Sequence, residues 1–131
     1  LASNIAKLSF FRFCITGIIG SLINYLIFVF CLLYIGLDYR ICGIIGFLSP
    51  LPIIFIINKK WTFQSNAKTI IVLPLYFLTN SIALCGHSLM QVMSHELAGI
   101  SHTYSQLLGI LVSAIINFIL AKKVVFIPYK I

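Results

Sequence analysis

The residues best able to do chemistry in this chain are basic and come in pairs. Lys59-Lys60 and Lys122-Lys123 each follow a long apolar run, and Arg12 stands at the start of another. A lysine brings a strong point charge to a phosphate without demanding a rigid geometry. Two doublets at the same depth therefore suit the grip of one anion, or of one large amphipathic anion. The same lysines also suit helix C-termini, where they complement the dipole and follow the basic-loop bias of membrane proteins. Both readings stand on the sequence. Arg12, between Phe11 and Phe13, either snorkels to the membrane surface or turns inward to join the lysines. Trp61 beside the first doublet suits an interfacial belt, and it could also stack on a sugar ring.

A second set of candidates is polar and lies inside apolar runs: Asn24, Asn80, His87 and Asn117. Asn24 is about 12 residues past Arg12, roughly 18 Å at helical rise, which is near mid-membrane. Such residues either hydrogen-bond a neighbouring helix or form a polar path for a headgroup crossing the bilayer. For His87 the bond to a neighbouring helix is the first expectation. Acid–base catalysis needs paired groups within reach, but the two acids, Asp38 and Glu96, fall between apolar runs. His95, Glu96 and His102 do not have zinc-ligand spacing. The four cysteines show no CxxC pattern and suit helix packing. No enzyme, metal or cofactor is expected. A proton-coupled exporter would need an acid within a span, and none is there.

Helices in a bilayer must position these groups. Hydrophobic residues make up 61% of the chain and charged residues 8%, with mean hydropathy +1.13. That is too little charge to cover a soluble surface. Nine Lys and Arg against two acids give +7. In so apolar a chain that charge points to anionic lipid headgroups rather than to nucleic acid. A bilayer core needs roughly 20 apolar residues per helix. Four runs qualify, at 11–35, 41–57 (slightly short), 70–93 and 104–121, divided by polar segments at 36–40, 58–69 and 94–103. Lys7 and Arg12 ahead of the first run resemble the start of a signal peptide. No small-residue cleavage site follows, so a retained helix is expected.

With four spans, Lys7, Arg12, Lys59, Lys60, Lys68, Lys122, Lys123 and Lys130 share one side, and Arg40, Asp38 and Glu96 the other. The positive-inside bias puts both termini in the cytoplasm. In the second run, Ser49-Pro50-Leu51-Pro52 removes backbone donors. Either a packed kink or a broken helix beside a substrate path is expected there. Gly17, Ser21, Gly43 and Gly46 offer surfaces for close helix approach.

Shifted by 63 residues, the two halves align without a gap: Thr16 on Thr79, Gly36 on Gly99, Gly46 on Gly109, Phe55 on Phe118, Lys59-Lys60 on Lys122-Lys123 and Phe63 on Phe126. This implies a duplication, with one repeat at about 10–63 and the other at about 73–126, within one domain over 1–131. Each half holds two spans, so the copies are parallel. The expected fold is an all-α integral membrane bundle of four transmembrane helices, built from two parallel hairpins with cytoplasmic ends.

Arg12-Phe13, Gly17 and Asn24 open the first span, and Asn58-Lys59-Lys60-Trp61-Thr62-Phe63 closes the second. Asn117-Phe118, Lys122-Lys123 and Phe126 close the fourth. Over nearly the whole chain this resembles the GtrA-like family of four-helix membrane proteins. The resemblance implies flipping of a polyprenyl-phosphate-linked sugar across a bacterial or archaeal cytoplasmic membrane, for cell-surface polysaccharide. The alternative it implies is a non-transporting anchor that docks a membrane glycosyltransferase. On the first reading Arg12 and the lysine doublets hold the lipid phosphate. Ile54 stands where the family often has Asn, and Ala121 and Val124 stand where the first half has Asn58 and Trp61. The second cluster should then bind less specifically, or only anchor. Four short helices enclose little volume, so a homo-oligomer is expected.

Overall fold

Backbone in hydrocarbon has no water to bond, so apolar runs of this length fold as helices. The computed structural model describes residues 2–62, 64, 66, 68–120 and 123. Helix α1 (Ala2–Phe30) continues as a π-helical turn, Cys31–Ile35. Helix α2 (Tyr39–Leu48) is followed by α3 (Leu51–Ile57), which ends in a second π-helical turn, Asn58–Thr62. Then come α4 (Thr69–Glu96) and α5 (His102–Leu120). Among the described residues four segments are long and apolar enough to cross a membrane: Lys7–Ile35, Tyr39–Thr62, Thr69–Glu96 and His102–Leu120. The second is longer than the 41–57 expected. Its helix runs on through the lysine doublet, so Lys59 and Lys60 stand on its last turn, at the helix C-terminus expected of them.

The proline pair breaks that second crossing into α2 and α3 at Ser49-Pro50. The break is bridged on both sides. The Ser49 amide and hydroxyl both donate to the Ile45 carbonyl, at 3.0 and 2.6 Å, and the Pro50 carbonyl accepts from the Ile54 amide at 3.0 Å. Two other turns reverse the chain. Gly36 and Gly99 sit at φ of +77° and +68°, a region open mainly to glycine. The Leu37 amide reaches back to the Cys31 carbonyl at 3.3 Å, and the Ile100 amide to that of Ser94 at 3.1 Å.

Both turns lie at one end of the bundle. There Arg40 pairs with Glu96 at 3.0 Å, and the Tyr39 hydroxyl donates to the same carboxylate oxygen at 2.7 Å. Arg12 meets Trp61 at the other end, and Phe118 packs against Phe10 and Phe13. The described lysines fall at that second end, on the terminal turns of the spans or just beyond them.

The bundle is polar inside and apolar outside. Leu22, Phe77, Leu89 and Leu111 point outward, while Thr16, Asn24, Asn80, His87, Gln91 and Gln106 are buried. Apolar packing concentrates toward the ends. Phe28, Cys31, Tyr39 and Cys42 cluster at the Glu96 end, and Phe55, Val72 and Tyr76 at the basic end. Several contacts recur at the 63-residue interval. Phe13 tilts against Phe118 at 5.2 Å, and Tyr76 against Phe55 at 4.8 Å. Gly46 lies on the backbone of Asn24, and Gly109 on that of His87.

Those two glycines set the helix spacing. A Cβ would stand 2.8 Å from the Asn24 carbonyl oxygen at position 46, and 2.9 Å from that of His87 at position 109. Overpacking of this kind costs about 1–3 kcal/mol. Gly46→Ala and Gly109→Ala should therefore lower the unfolding temperature in detergent. At Gly17 an added methyl meets nothing within 4 Å, so Gly17→Ala should unfold like the parent. Equal behaviour of all three would contradict the close approach.

Candidate functional site

All four crossings contribute polar side chains to one pocket of about 100 Å³. Thr16 and Asn24 come from α1, Asn58 from the end of the second crossing, Thr79 and Asn80 from α4, and Ser113 and Asn117 from α5. The sequence singled out Asn24, Asn80 and Asn117, and folding brings all three to this space. Pro50 and Leu51, at the break in the second crossing, form part of the wall.

The bonds of these groups determine what the pocket offers. The Thr79 and Ser113 hydroxyls donate to carbonyls of their own helices, at Tyr76 (3.0 Å) and Ile110 (2.9 Å). Thr16 has two acceptors at 2.9 Å, the Phe13 carbonyl and Asn58 Oδ1, and one hydrogen to share between them. A hydroxyl that spends its hydrogen on its own backbone keeps two acceptor lone pairs. The Asn80 amide donates to the Tyr76 carbonyl at 2.8 Å, which leaves its oxygen as an acceptor too. Among the described residues no cation lines the pocket. With carboxamides from Asn24, Asn58, Asn80 and Asn117 beside these hydroxyls, the space offers both acceptors and donors to an uncharged guest bearing hydroxyl groups, and it suits a phosphate poorly.

From Asn24 a chain of amides leads away toward the Glu96 end. Gln106 donates to Asn24 Oδ1 at 2.6 Å, and Gln91 donates to Gln106 Oε1 at 2.8 Å. Gln91 also reaches the Tyr39 carbonyl at 3.3 Å. This links α1, α5, α4 and α2 in one network. Gly43 leaves the room that Gln91 occupies. Sequence reasoning missed both glutamines, along with Thr16 and Asn58 as pocket residues. The signal was present, because a glutamine inside an apolar run is as costly to bury as an asparagine.

His87 does not join the pocket lining. It is fully buried, with its ring 5.6 Å from Phe47 and packed against Gly109. Neither ring nitrogen has a hydrogen-bond partner among the described residues. The helix–helix bond expected of it is not formed, because its close neighbours here are a phenylalanine ring and a glycine.

Arg12 takes a role the sequence did not suggest. Its Nη1 donates to the Trp61 carbonyl at 3.0 Å, and its guanidinium lies 5.4 Å over the Trp61 ring. It satisfies a carbonyl at a helix C-terminus and holds the indole in place by cation–π attraction. Lys60 and Lys123 are exposed and Lys59 half-buried at the same end of the bundle, outside the pocket. Lys122 lies outside the described residues. At the opposite end His95 and His102 stack at 3.9 Å beside Tyr39. Among the described residues no group of three or more His, Cys, Asp or Glu could hold a metal ion.

A family model for the GtrA/DPMS transmembrane domain matches residues 12–126. No solved structure matches the chain.

Trp61 is the chain's one tryptophan, so its fluorescence reports the Arg12 contact directly. Arg12→Ala should shift Trp61 emission and raise its quenching by acrylamide, while Lys60→Ala should leave both unchanged. An Arg12→Ala spectrum identical to the parent would mean that the stacking does not persist in solution.

Proposed function

From its membership of the GtrA/DPMS transmembrane-domain family, to which this multi-pass membrane protein belongs, we propose that the chain moves a polyprenyl-phosphate-linked sugar across the membrane. The observation that carries this reading is the pocket into which all four crossings bring hydroxyl or carboxamide groups, adjoining the basic end. A lipid-linked sugar has two polar parts of different chemistry. The phosphate needs cations, and Lys59, Lys60 and Lys123 offer them at the basic end, with Lys122 next to Lys123 in the sequence. Arg12 contributes too, since one bond to Trp61 leaves most of its five donors available. The sugar needs neutral hydrogen-bonding partners, which the pocket supplies. The positive-inside bias assigns the basic end to the cytoplasm, so loading occurs from the cytoplasmic leaflet of a bacterial or archaeal cell membrane. Anionic lipids favour the same surface. No bond is made or broken by the protein on this reading.

At about 100 Å³ the pocket is smaller than the roughly 150 Å³ cavity that takes a benzene ring. A sugar enters only if the crossings part. The Ser49-Pro50 break lies in the pocket wall, where α2 and α3 can change angle without losing a regular ladder bond. The contacts that recur at the 63-residue interval surround the same space and support two parallel repeats about an axis through it. A homo-oligomer is one way to give the moving crossings a fixed support.

The small pocket also favours a second reading, in which the bundle docks a membrane glycosyltransferase and transports nothing. Purified protein in liposomes with a labelled lipid-linked sugar separates the two. Each charge-assisted bond to phosphate is worth about 1.5–3 kcal/mol. Crossing should thus slow roughly ten-fold or more in Lys59→Ala/Lys60→Ala, and it should also slow in Asn80→Leu/Asn117→Leu. Crossing no faster than in protein-free vesicles would sink transport by the isolated chain. Lysine variants that lose only glycosyltransferase binding would support docking.

A further inference from the structure

The phosphate and the sugar leave one part of the lipid without a place, its hydrocarbon chain. Between α1 and α5 runs an apolar groove of about 810 Å³. Cys14, Ile18 and Leu22 form one wall, and Leu107, Ile115 and Ile119 the other. Phe10 and Phe118 meet edge to face at 5.2 Å toward the basic end.

The groove and the polar pocket have Phe13, Gly17, Ser21, Ile110 and Ala114 in common. Three of these five are glycine, serine and alanine, so little side-chain bulk separates hydrocarbon from the pocket's hydroxyl and amide groups. Gly17 faces open space. The opposite seam is filled differently. At the 63-residue interval Gly17 and Ala114 correspond to Asn80 and Leu51, two larger side chains in the pocket lining. A guest lying across the α1–α5 seam touches hydroxyl and carboxamide groups on one side and hydrocarbon on the other, with Arg12 and Lys7 at the near end. Only an amphipathic anion matches all three.

We propose that this groove seats the first isoprenoid units of the polyprenyl phosphate, with the phosphate at the Arg12 end and the sugar turned through the Gly17–Ala114 seam. This rests on the lipid-linked sugar reading above. It also explains why a small pocket suffices. The chain never enters the bundle, and only the headgroup must pass between the crossings.

The test uses the full chain in phosphatidylcholine vesicles and a polyprenyl phosphate with a photoreactive group on its second isoprene unit. Cross-links should map to 10–25 and 107–119. Unlabelled polyprenyl phosphate should compete, and phosphatidylglycerol at equal concentration should not. Gly17→Leu/Ala114→Leu, which narrows the seam, should reduce labelling at least about ten-fold. The map on the parent protein stands even if that variant folds poorly.

Labelling mainly on α3 and α4, or equal competition by phosphatidylglycerol, overturns the seat. So does a double variant that turns a dimer into a monomer with labelling unchanged, since the groove then belongs to a second copy. Groove labelling without sugar crossing keeps the seat and sinks transport. Specific labelling elsewhere, or no labelling, with crossing intact does the reverse, and no labelling together with no crossing sinks both.

Discussion

A polar group inside a bilayer must find its partner within the protein, and this bundle is arranged around that requirement. The chain from Asn24 through Gln106 and Gln91 to the Tyr39 carbonyl touches every crossing. Each such bond contributes little by itself, on average about 0.6 kcal/mol in membrane proteins. Breaking one leaves amides stranded in hydrocarbon, which costs more than the bond supplies. The network therefore acts less as glue than as a specification, because only one rotation of each helix satisfies all its members. Gly43, Gly46 and Gly109 serve the same end by clearing space for Gln91, Asn24 and His87. His87 is the exception, a buried ring whose nitrogens have no hydrogen-bond partner among the described residues.

Charge is divided along the bundle axis in a way that separates two kinds of recognition. The acids and Arg40 lie at one end, where Glu96 and Arg40 meet the Tyr39 hydroxyl and Asp38 accepts from the Arg40 amide. The described lysines and Arg12 lie at the other. The pocket between them holds carboxamides, and hydroxyls of which Thr79 and Ser113 spend their hydrogens on their own helices. On the proposed function, the basic end would attract an anionic headgroup by long-range field, which is strong near a low-dielectric surface, and the pocket would hold a sugar by short-range bonds. Pro50, at the break in the second crossing, lies in the wall of that pocket.

Much of this was legible before folding was considered. Bilayer thickness fixes how long an apolar run must be, so the four crossings could be counted from composition and spacing. The cost of burying an amide marked Asn24, Asn80 and Asn117, and they do meet. The same cost applies to Gln91 and Gln106, but their partners lie 15 and 82 residues away and sequence spacing does not reveal them. Hydropathy drops at Asn58 and ends the expected second crossing at 57, whereas the backbone stays helical to Thr62. The sequence leaves Arg12 open between the membrane surface and a phosphate, and in the folded chain it meets the carbonyl and ring of Trp61.

The sequence by itself determined the number of crossings, the one-sided distribution of basic charge and the residue types that hydrocarbon would not tolerate unpaired. Each follows from transfer free energies that depend on a segment's own composition. Only the tertiary structure decided which polar groups pair, that three asparagines share a pocket and His87 does not, and that a groove lies beside it. Those outcomes depend on how each helix is rotated about its axis and how closely small residues let it approach its neighbours. Hydropathy does not encode rotation; the packed bundle does.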